Sequence, residues 1–158
     1  MFKKQEKKLK VLFVDEKNNL TSQLAEYFTK KMFDNLYDVY SAGPEHDIID
    51  CEMISVMYQK GEDMRRQIAK DFRDQENLPA DAAFDIVIFL REPVFKAWSS
   101  KTPWKGIQIL QEMGTTADFN ATDDLELAEC YSEMIERVRA WVKDNMGDIS
   151  KLRSMVSA

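Results

Sequence analysis

The residues of this sequence that are best suited to bind or react with a ligand lie between positions 15 and 22. A short apolar run precedes them, and the pattern of an amphipathic helix begins at Ser22. The first turn of a helix has backbone N–H groups without partners, and these groups stabilise anions. An aspartate can also accept a phosphoryl group itself. We therefore take Asp15, Lys17, Asn18, Asn19, Thr21 and Ser22 as the candidate site residues.

Apolar patterns reveal the strands that would position this loop. Four short runs rich in β-forming residues predict strands over 9–14, 37–41, 84–90 and 107–110. Because helical patterns separate these runs, we expect a mostly parallel sheet with helices on both faces. Ligands of such sheets bind at the carboxyl ends of the strands, beside the switch in strand order. The loop after the first strand is therefore the expected location of any site.

The helices are predicted from apolar residues at helical spacing. They cover 22–33 and 48–58, and a long last helix begins after Asp123 and ends at Gly147. Thr21 or Ser22 is placed to cap the first of them. Residues 65–81 predict only a short helix or a turn.

The composition is that of one ordinary globular domain, which we expect to span residues 9–147. A basic tail over 1–8 and a C-terminal tail over 148–158 would flank it. The net charge of −6 disfavours a nucleic-acid partner, because phosphate backbones require a basic surface. No apolar run reaches the roughly 20 residues of a membrane helix, and no signal-peptide core follows Met1. We expect a cytoplasmic protein that does not bind membranes.

The cysteine and histidine content argues against a metal site or a disulfide. Cys51 and Cys130 lie far apart without CxxC spacing, which favours two buried thiols in a reducing compartment. With His46 as the single histidine, a zinc site is not expected. We predict no metal and no cofactor.

Several stretches of sequence, taken in order, resemble the low-molecular-weight tyrosine phosphatase and arsenate reductase family. The family reads V-L-F-V-C-x-G-N-x-C-R-S-x-x-A-E at its first strand and loop. This chain keeps the Val-Leu-Phe-Val run, Asn18, Ser22, Ala25 and Glu26, and further matches are Ser41-Ala42-Gly43, Val56-Met57 with Gly61, Asp63 and Met64, and Phe84-Asp85-Ile86-Val87-Ile88. The resemblance covers most of residues 9–145. It implies a three-layer flavodoxin-like α/β fold with a four-stranded parallel sheet, as in the phosphotyrosine protein phosphatase I-like proteins.

The same resemblance shows which catalytic parts are missing. The nucleophilic cysteine of the family falls at Asp15, its loop glycine at Lys17 and its phosphate-binding arginine at Thr21. The family's general acid, in an Asp-Pro pair after the fourth strand, has no counterpart. The resolving cysteines of the arsenate reductases would follow the third strand, where the chain reads Leu90-Arg91-Glu92-Pro93.

These losses are large enough to remove the family chemistry. A carboxylate about 5 Å from a phosphate repels it by roughly 3 kcal/mol per pair of unit charges at an effective dielectric of 20. Loss of the arginine removes a further ~1.5–3 kcal/mol for each charge-assisted hydrogen bond. The resemblance then implies a pseudoenzyme with a degenerate phosphate loop and no catalytic residues. It would bind a protein or a small anion in a regulatory role.

Two alternatives use Asp15 differently. The first is a phosphatase or phosphoryl-transfer enzyme in which Asp15 is the nucleophile, although Lys17 stands where a haloacid dehalogenase has its second aspartate. The second is a degenerate response-regulator receiver, although Phe89-Leu90-Arg91 provides no acid at the end of the third strand.

A further hypothesis concerns the shape of the loop. If the loop keeps the family geometry, the Asp15 carboxylate can turn into the ring of backbone N–H groups and seal it as a built-in ligand. Lys17 in place of glycine argues against that geometry, because lysine avoids some backbone conformations that glycine adopts.

Overall fold

The computed structural model describes residues 7–81, 83–102 and 104–156 of the chain. Within these residues, four strands alternate with four α-helices, and a fifth α-helix follows the fourth directly. One short 3₁₀ helix, Thr116–Asp118, precedes the long fourth helix. The elements are β1 Leu9–Val14, α1 Thr21–Phe33, β2 Tyr37–Ala42, α2 Cys51–Gln59, β3 Ile86–Phe89, α3 Glu92–Trp98, β4 Ile107–Leu110, α4 Asp124–Asn145 and α5 Ile149–Arg153.

The four strands form one parallel sheet in the order β2-β1-β3-β4. β1 pairs with β2 on one side, Val14 lying opposite Ala42, and with β3 on the other, Val14 lying opposite Phe89. The strand order therefore reverses at the carboxyl end of β1. The predicted four-stranded parallel sheet is confirmed, and the loop that follows Val14 lies at its switch point.

Side chains of β1 alternate between two apolar layers, one on each face of the sheet. Val11 and Phe13 pack with the buried faces of α1, α2, α4 and α5. Leu12 and Val14 pack with Val94 of α3 and with an aromatic group that includes Trp104. Because all four of these β1 residues are fully buried, β1 has the uniformly apolar sequence that identified it as a central strand.

The predicted helix over 48–58 begins later than its pattern indicated. Helix α2 begins at Cys51 because Asp50 caps its N-terminus. The Asp50 carboxylate accepts hydrogen bonds from the N–H groups of Glu52 and Met53 at 3.0 and 3.2 Å. The weakly patterned residues 65–81, which are all described, form turns and no helix. A single parallel bridge between Gly43 and Asp71 joins this segment to the end of β2.

The expectation of two buried thiols is wrong. Cys51 is exposed and Cys130 is half-buried, and both thiols are free. Cys51 is the first residue of α2, whose core face is provided by Met53, Val56 and Met57. Cys130 precedes the core residue Tyr131 and lies off the buried stripe of α4.

The core extends past residue 147, where the sequence placed the end of the domain. Residues Ile149–Arg153 form α5, which Asp148 caps through a hydrogen bond from the Lys151 N–H. Leu152 is fully buried in the same apolar layer as Val142 and Met146 of α4 and its C-terminus. In the described residues, no helix has the length and apolar character needed to cross a membrane.

We predict that Leu152→Ala lowers the free energy of unfolding by about 2–5 kcal/mol, because it leaves a cavity in the core. Leu125→Ala is the matched control: Leu125 of α4 is 71% exposed, and its truncation should change stability by no more than ~0.5 kcal/mol. Urea denaturation of both variants measures the difference. Equal effects would show that α5 is not part of the cooperative domain.

Candidate functional site

The loop between β1 and α1 is closed by the side chain of its first residue. Asp15 is 3% exposed, and its Oδ1 accepts a hydrogen bond from the backbone N–H of Asn18 at 2.6 Å. Its Oδ2 accepts one from the N–H of Ser22, in the first turn of α1, at 3.0 Å. The carboxylate thus occupies the N–H groups that would otherwise bind an anion, as the self-sealing hypothesis described.

Asp15 also replaces the predicted cap of α1. The expectation that Thr21 or Ser22 caps this helix is wrong, because the residue at the N-cap is Leu20 and it makes no side-chain cap bond. The free N–H of Ser22 bonds instead to a carboxylate seven residues earlier. An anionic group at a helix N-terminus is favourable because it faces the positive end of the helix dipole.

The ionisation of Asp15 reflects two opposed influences. Burial raises the pKa of the Asp15 carboxyl above its ordinary value, because removal from water disfavours the charged form. Hydrogen bonds from Ser22, Asn18 and Leu20 oppose this rise without cancelling it. The group that replaces the family nucleophile is therefore harder to ionise than a surface aspartate.

Asn18 fixes the shape of the loop. Its φ of +50° lies in the left-handed region, which asparagine tolerates better than most residues. Its side-chain Nδ2 donates to Ser22 Oγ at 2.9 Å. Its Oδ1 accepts from Gln23 Nε2 and from the backbone N–H of Lys70, both at 2.8 Å. Asn18 and Ser22, which the sequence placed in the site, are thus fully buried structural parts of the loop.

A group of buried or half-buried polar side chains, Gln23, Glu26, Gln67 and Lys70, packs against the loop, and sequence reasoning did not identify it. Gln23 is fully buried, and its Nε2 also donates to the Ile68 carbonyl at 3.0 Å. Gln67 Nε2 donates to Gln23 Oε1 at 2.7 Å. Next to them Lys70 and Glu26 form a buried ion pair with Nζ and Oε1 3.6 Å apart. Burial lowers the pKa of Lys70, although the nearby Glu26 opposes the shift.

Gly43 allows the end of β2 to pass directly against the loop. A Cβ at this position would lie 2.7 Å from the Glu45 carbonyl oxygen, 2.8 Å from that of Asp15 and 2.9 Å from the Asn18 nitrogen. All three neighbours are backbone atoms, which cannot move aside as a side chain could. The glycine that the sequence matched to the family's Ser-Ala-Gly therefore has a packing role here.

A pocket of about 230 Å³ opens above the sealed loop. Four of the six predicted site residues line it, namely Asp15, Lys17, Asn19 and Thr21. Thr21, in the position of the family arginine, is fully buried, and its Oγ1 has no hydrogen-bond partner within the described part of the chain. The rest of the lining is Glu16, Leu20, Asp50, Arg91, Gly114, Thr115 and Thr116.

Arg91 is the most strongly paired of the lining residues that sequence reasoning did not select. It follows β3, and its Nε donates to Glu16 at 2.6 Å while its Nη1 donates to Glu112 at 2.9 Å. Burial opposes ionisation of Glu112, but the N–H groups of Glu92 and Gly114 and the Arg91 guanidinium outweigh it and lower its pKa. The position of Arg91 just after β3, at the carboxyl end of a parallel strand, was the signal by which the sequence could have identified it as a site residue. The arginine of this pocket is therefore held between two carboxylates.

The sequence matches the family model described as low molecular weight phosphotyrosine protein phosphatase over residues 10–151. The chain belongs to this family. No curated protein sequence matches it significantly.

Solved structures of family members have the same fold. One is a low molecular weight protein tyrosine phosphatase from T. tengcongensis, at 19% identity and a TM-score of 0.64 over 85% of this chain and 95% of that one. Wzb from Vibrio vulnificus, solved with benzylphosphonate, is 18% identical, with a TM-score of 0.63 over 87% of this chain and 99% of that one. An arsenate reductase in the phosphate-binding state is 25% identical to this chain, with a TM-score of 0.56 over 86% of this chain and 98% of that one. Membership of the phosphatase family replaces the response-regulator alternative.

The pKa of Asp15 predicts how its contribution to stability varies with pH. Because its folded pKa lies above the ordinary value of 3.8, the folded state binds the proton more tightly than the unfolded state does. The stability gained is present below the ordinary value and is lost as pH rises through the folded pKa. We expect the unfolding free energy of wild type minus that of Asp15→Asn to fall as pH rises, measured by urea denaturation between pH 3 and 8. Other titrating groups cancel in this difference, and a rise with pH would contradict the prediction.

We predict that Gly43→Ala costs about 1–3 kcal/mol in unfolding free energy through backbone overlap and shifts the amide resonance of Asn18. Gly61→Ala is the matched control, since Gly61 has a φ of +83° and no atom within 4 Å of an added Cβ. It should cost roughly 1 kcal/mol from its backbone conformation alone. It should also leave Asn18 unchanged. An undisturbed Asn18 amide in Gly43→Ala would show that the close approach is absent.

Proposed function

We propose that this chain is a catalytically inactive member of the low-molecular-weight phosphatase family that acts as a binding or regulatory protein. The proposal rests on the Asp15 carboxylate, which stands at the position of the family's nucleophile. It accepts hydrogen bonds from the backbone N–H groups of Asn18 and Ser22. The oxyanion-binding groups of the loop are thus used within the protein.

The geometry of Asp15 also argues against its use as a nucleophile. Attack on phosphorus needs an ionised oxygen that the substrate can reach in line. Asp15 is 3% exposed, and each of its oxygens already accepts a hydrogen bond from a backbone N–H group. A phosphoryl group would have to displace the carboxylate from the ring before it could react with it.

The charges around the pocket favour a protein partner over a small anion. Its lining contains the carboxyl groups of Asp15, Glu16 and Asp50, and its arginine, Arg91, is already paired with Glu16. An anion would therefore meet no arginine that is free to form a bidentate pair with it. Lys17 is the remaining cation of the described lining. A polar protein surface can satisfy this mixture of charges more readily than a phosphate can.

The proposed setting of this function is a reducing compartment such as the cytoplasm. Cys51 and Cys130 are both free, and Cys51 is exposed. An exposed thiol persists more readily where disulfide formation is suppressed. The net charge of −6 supports a partner other than nucleic acid.

We predict that the purified protein hydrolyses an aryl phosphate no faster than buffer, with or without Mg²⁺. The physical reason is that neither a thiolate nor the phosphate-binding arginine is present at positions 15 and 21. The measurement is release of the phenol at pH 5–8, with Asp15→Ala assayed in parallel. Turnover by the wild type that Asp15→Ala abolishes would show an enzyme that uses Asp15, and would overturn the proposal.

A further inference from the structure

The loop keeps its shape by contacts that do not involve the Asp15 carboxylate. Asn18 is held by Ser22 Oγ, Gln23 Nε2 and the Lys70 N–H. The N–H of Ser22 belongs to the first turn of α1, a helix of 13 residues. Removal of the Asp15 side chain would therefore leave the Asn18 and Ser22 N–H groups in place and without partners.

One polar side chain beside the same loop lacks a hydrogen-bond partner within the described residues even with Asp15 in place. Thr21 lines the pocket, is fully buried, and its Oγ1 makes no hydrogen bond within the described residues. The hydroxyls of Thr21, Thr29 and Ser41 are the buried ones without a partner within the described residues, and of these three only Thr21 lines this pocket. It is independent of the Asp15 hydrogen bonds, and it adds a possible donor to the two backbone N–H groups.

We propose that Asp15 is an autoinhibitory residue, whose carboxylate keeps small tetrahedral oxyanions such as phosphate out of a binding site that the loop still forms. This inference rests on the proposed function, because it assumes that Asp15 acts as an internal ligand and not as a nucleophile. The site consists of the Asn18 and Ser22 N–H groups with the Thr21 hydroxyl. Any event that withdraws Asp15 from the ring would open it.

An internal carboxylate is well suited to this role. It is tethered next to its binding groups, so its effective concentration exceeds that of a free anion. Its negative charge also repels a second anion from the same ring. An external phosphate must therefore compete with a ligand that never diffuses away.

The test is titration of the full-length protein with inorganic phosphate at pH 7, followed by the backbone amide resonances of Asn18 and Ser22. We expect no saturable shift in the wild type over the range of phosphate concentrations that saturates Asp15→Ala. In Asp15→Ala we expect saturable shifts centred on these two amides, with an affinity at least about tenfold higher than that of the wild type. Asp15→Ser is the second variant if Asp15→Ala does not fold, since serine is also too short to reach both N–H groups.

Glu16→Gln is the matched control for charge. It removes one carboxylate from the same pocket but leaves the Asp15 hydrogen bonds intact, so the Asn18 and Ser22 amides should not respond to phosphate. Saturable binding by the wild type at these amides would overturn the proposal, as would a folded Asp15→Ala or Asp15→Ser that does not bind. Equal gains in Glu16→Gln and Asp15→Ala would also overturn it. The titration measures no turnover, so its failure is distinct from a failure of the proposed function, which only hydrolysis would reveal.

Discussion

The hydrogen bonds from the Asn18 and Ser22 N–H groups to the Asp15 carboxylate are the interaction on which the site depends. They bind the end of the central strand to the first turn of α1 and compensate part of the cost of burying the carboxyl group. A loop with converging N–H groups needs an acceptor, either from a ligand or from the protein. In this chain the acceptor is provided by the residue that stands where the family has its nucleophile.

The residues at positions 15 and 21 make physical sense together. An aspartate that reaches the N–H groups removes the need for a bound anion, and an arginine at position 21 would then have no phosphate to grip. Thr21 is buried beside the sealed loop, and Arg91 provides the pocket with a cation from another strand end, paired with Glu16 and Glu112. The arginine of the pocket is thus paired within the protein and needs no bound anion.

The sequence predicted the sheet and the position of the loop after β1 well, because both depend on local patterns. β1 and β4 have the bounds that their apolar runs indicated. The first strand of such an alternating chain commonly lies beside the switch in strand order, as β1 does here. The group of polar side chains that packs against the loop could not be predicted in this way. Gln67 and Lys70 contact residues 44 and 52 positions earlier through single polar bonds, and such pairs leave no periodic pattern. Arg91 was missed for the same reason, since its partner Glu16 lies 75 residues away.

The buried pair of Glu26 and Lys70 has a consequence for how this family member can diverge. Both side chains are about 95% removed from solvent, and the loss of one partner from a buried ion pair costs roughly 3–5 kcal/mol. Replacement of both by apolar residues of similar volume is far less costly. The two positions should therefore be kept together or replaced together, and relatives that keep both residues are those that support the loop in the same way.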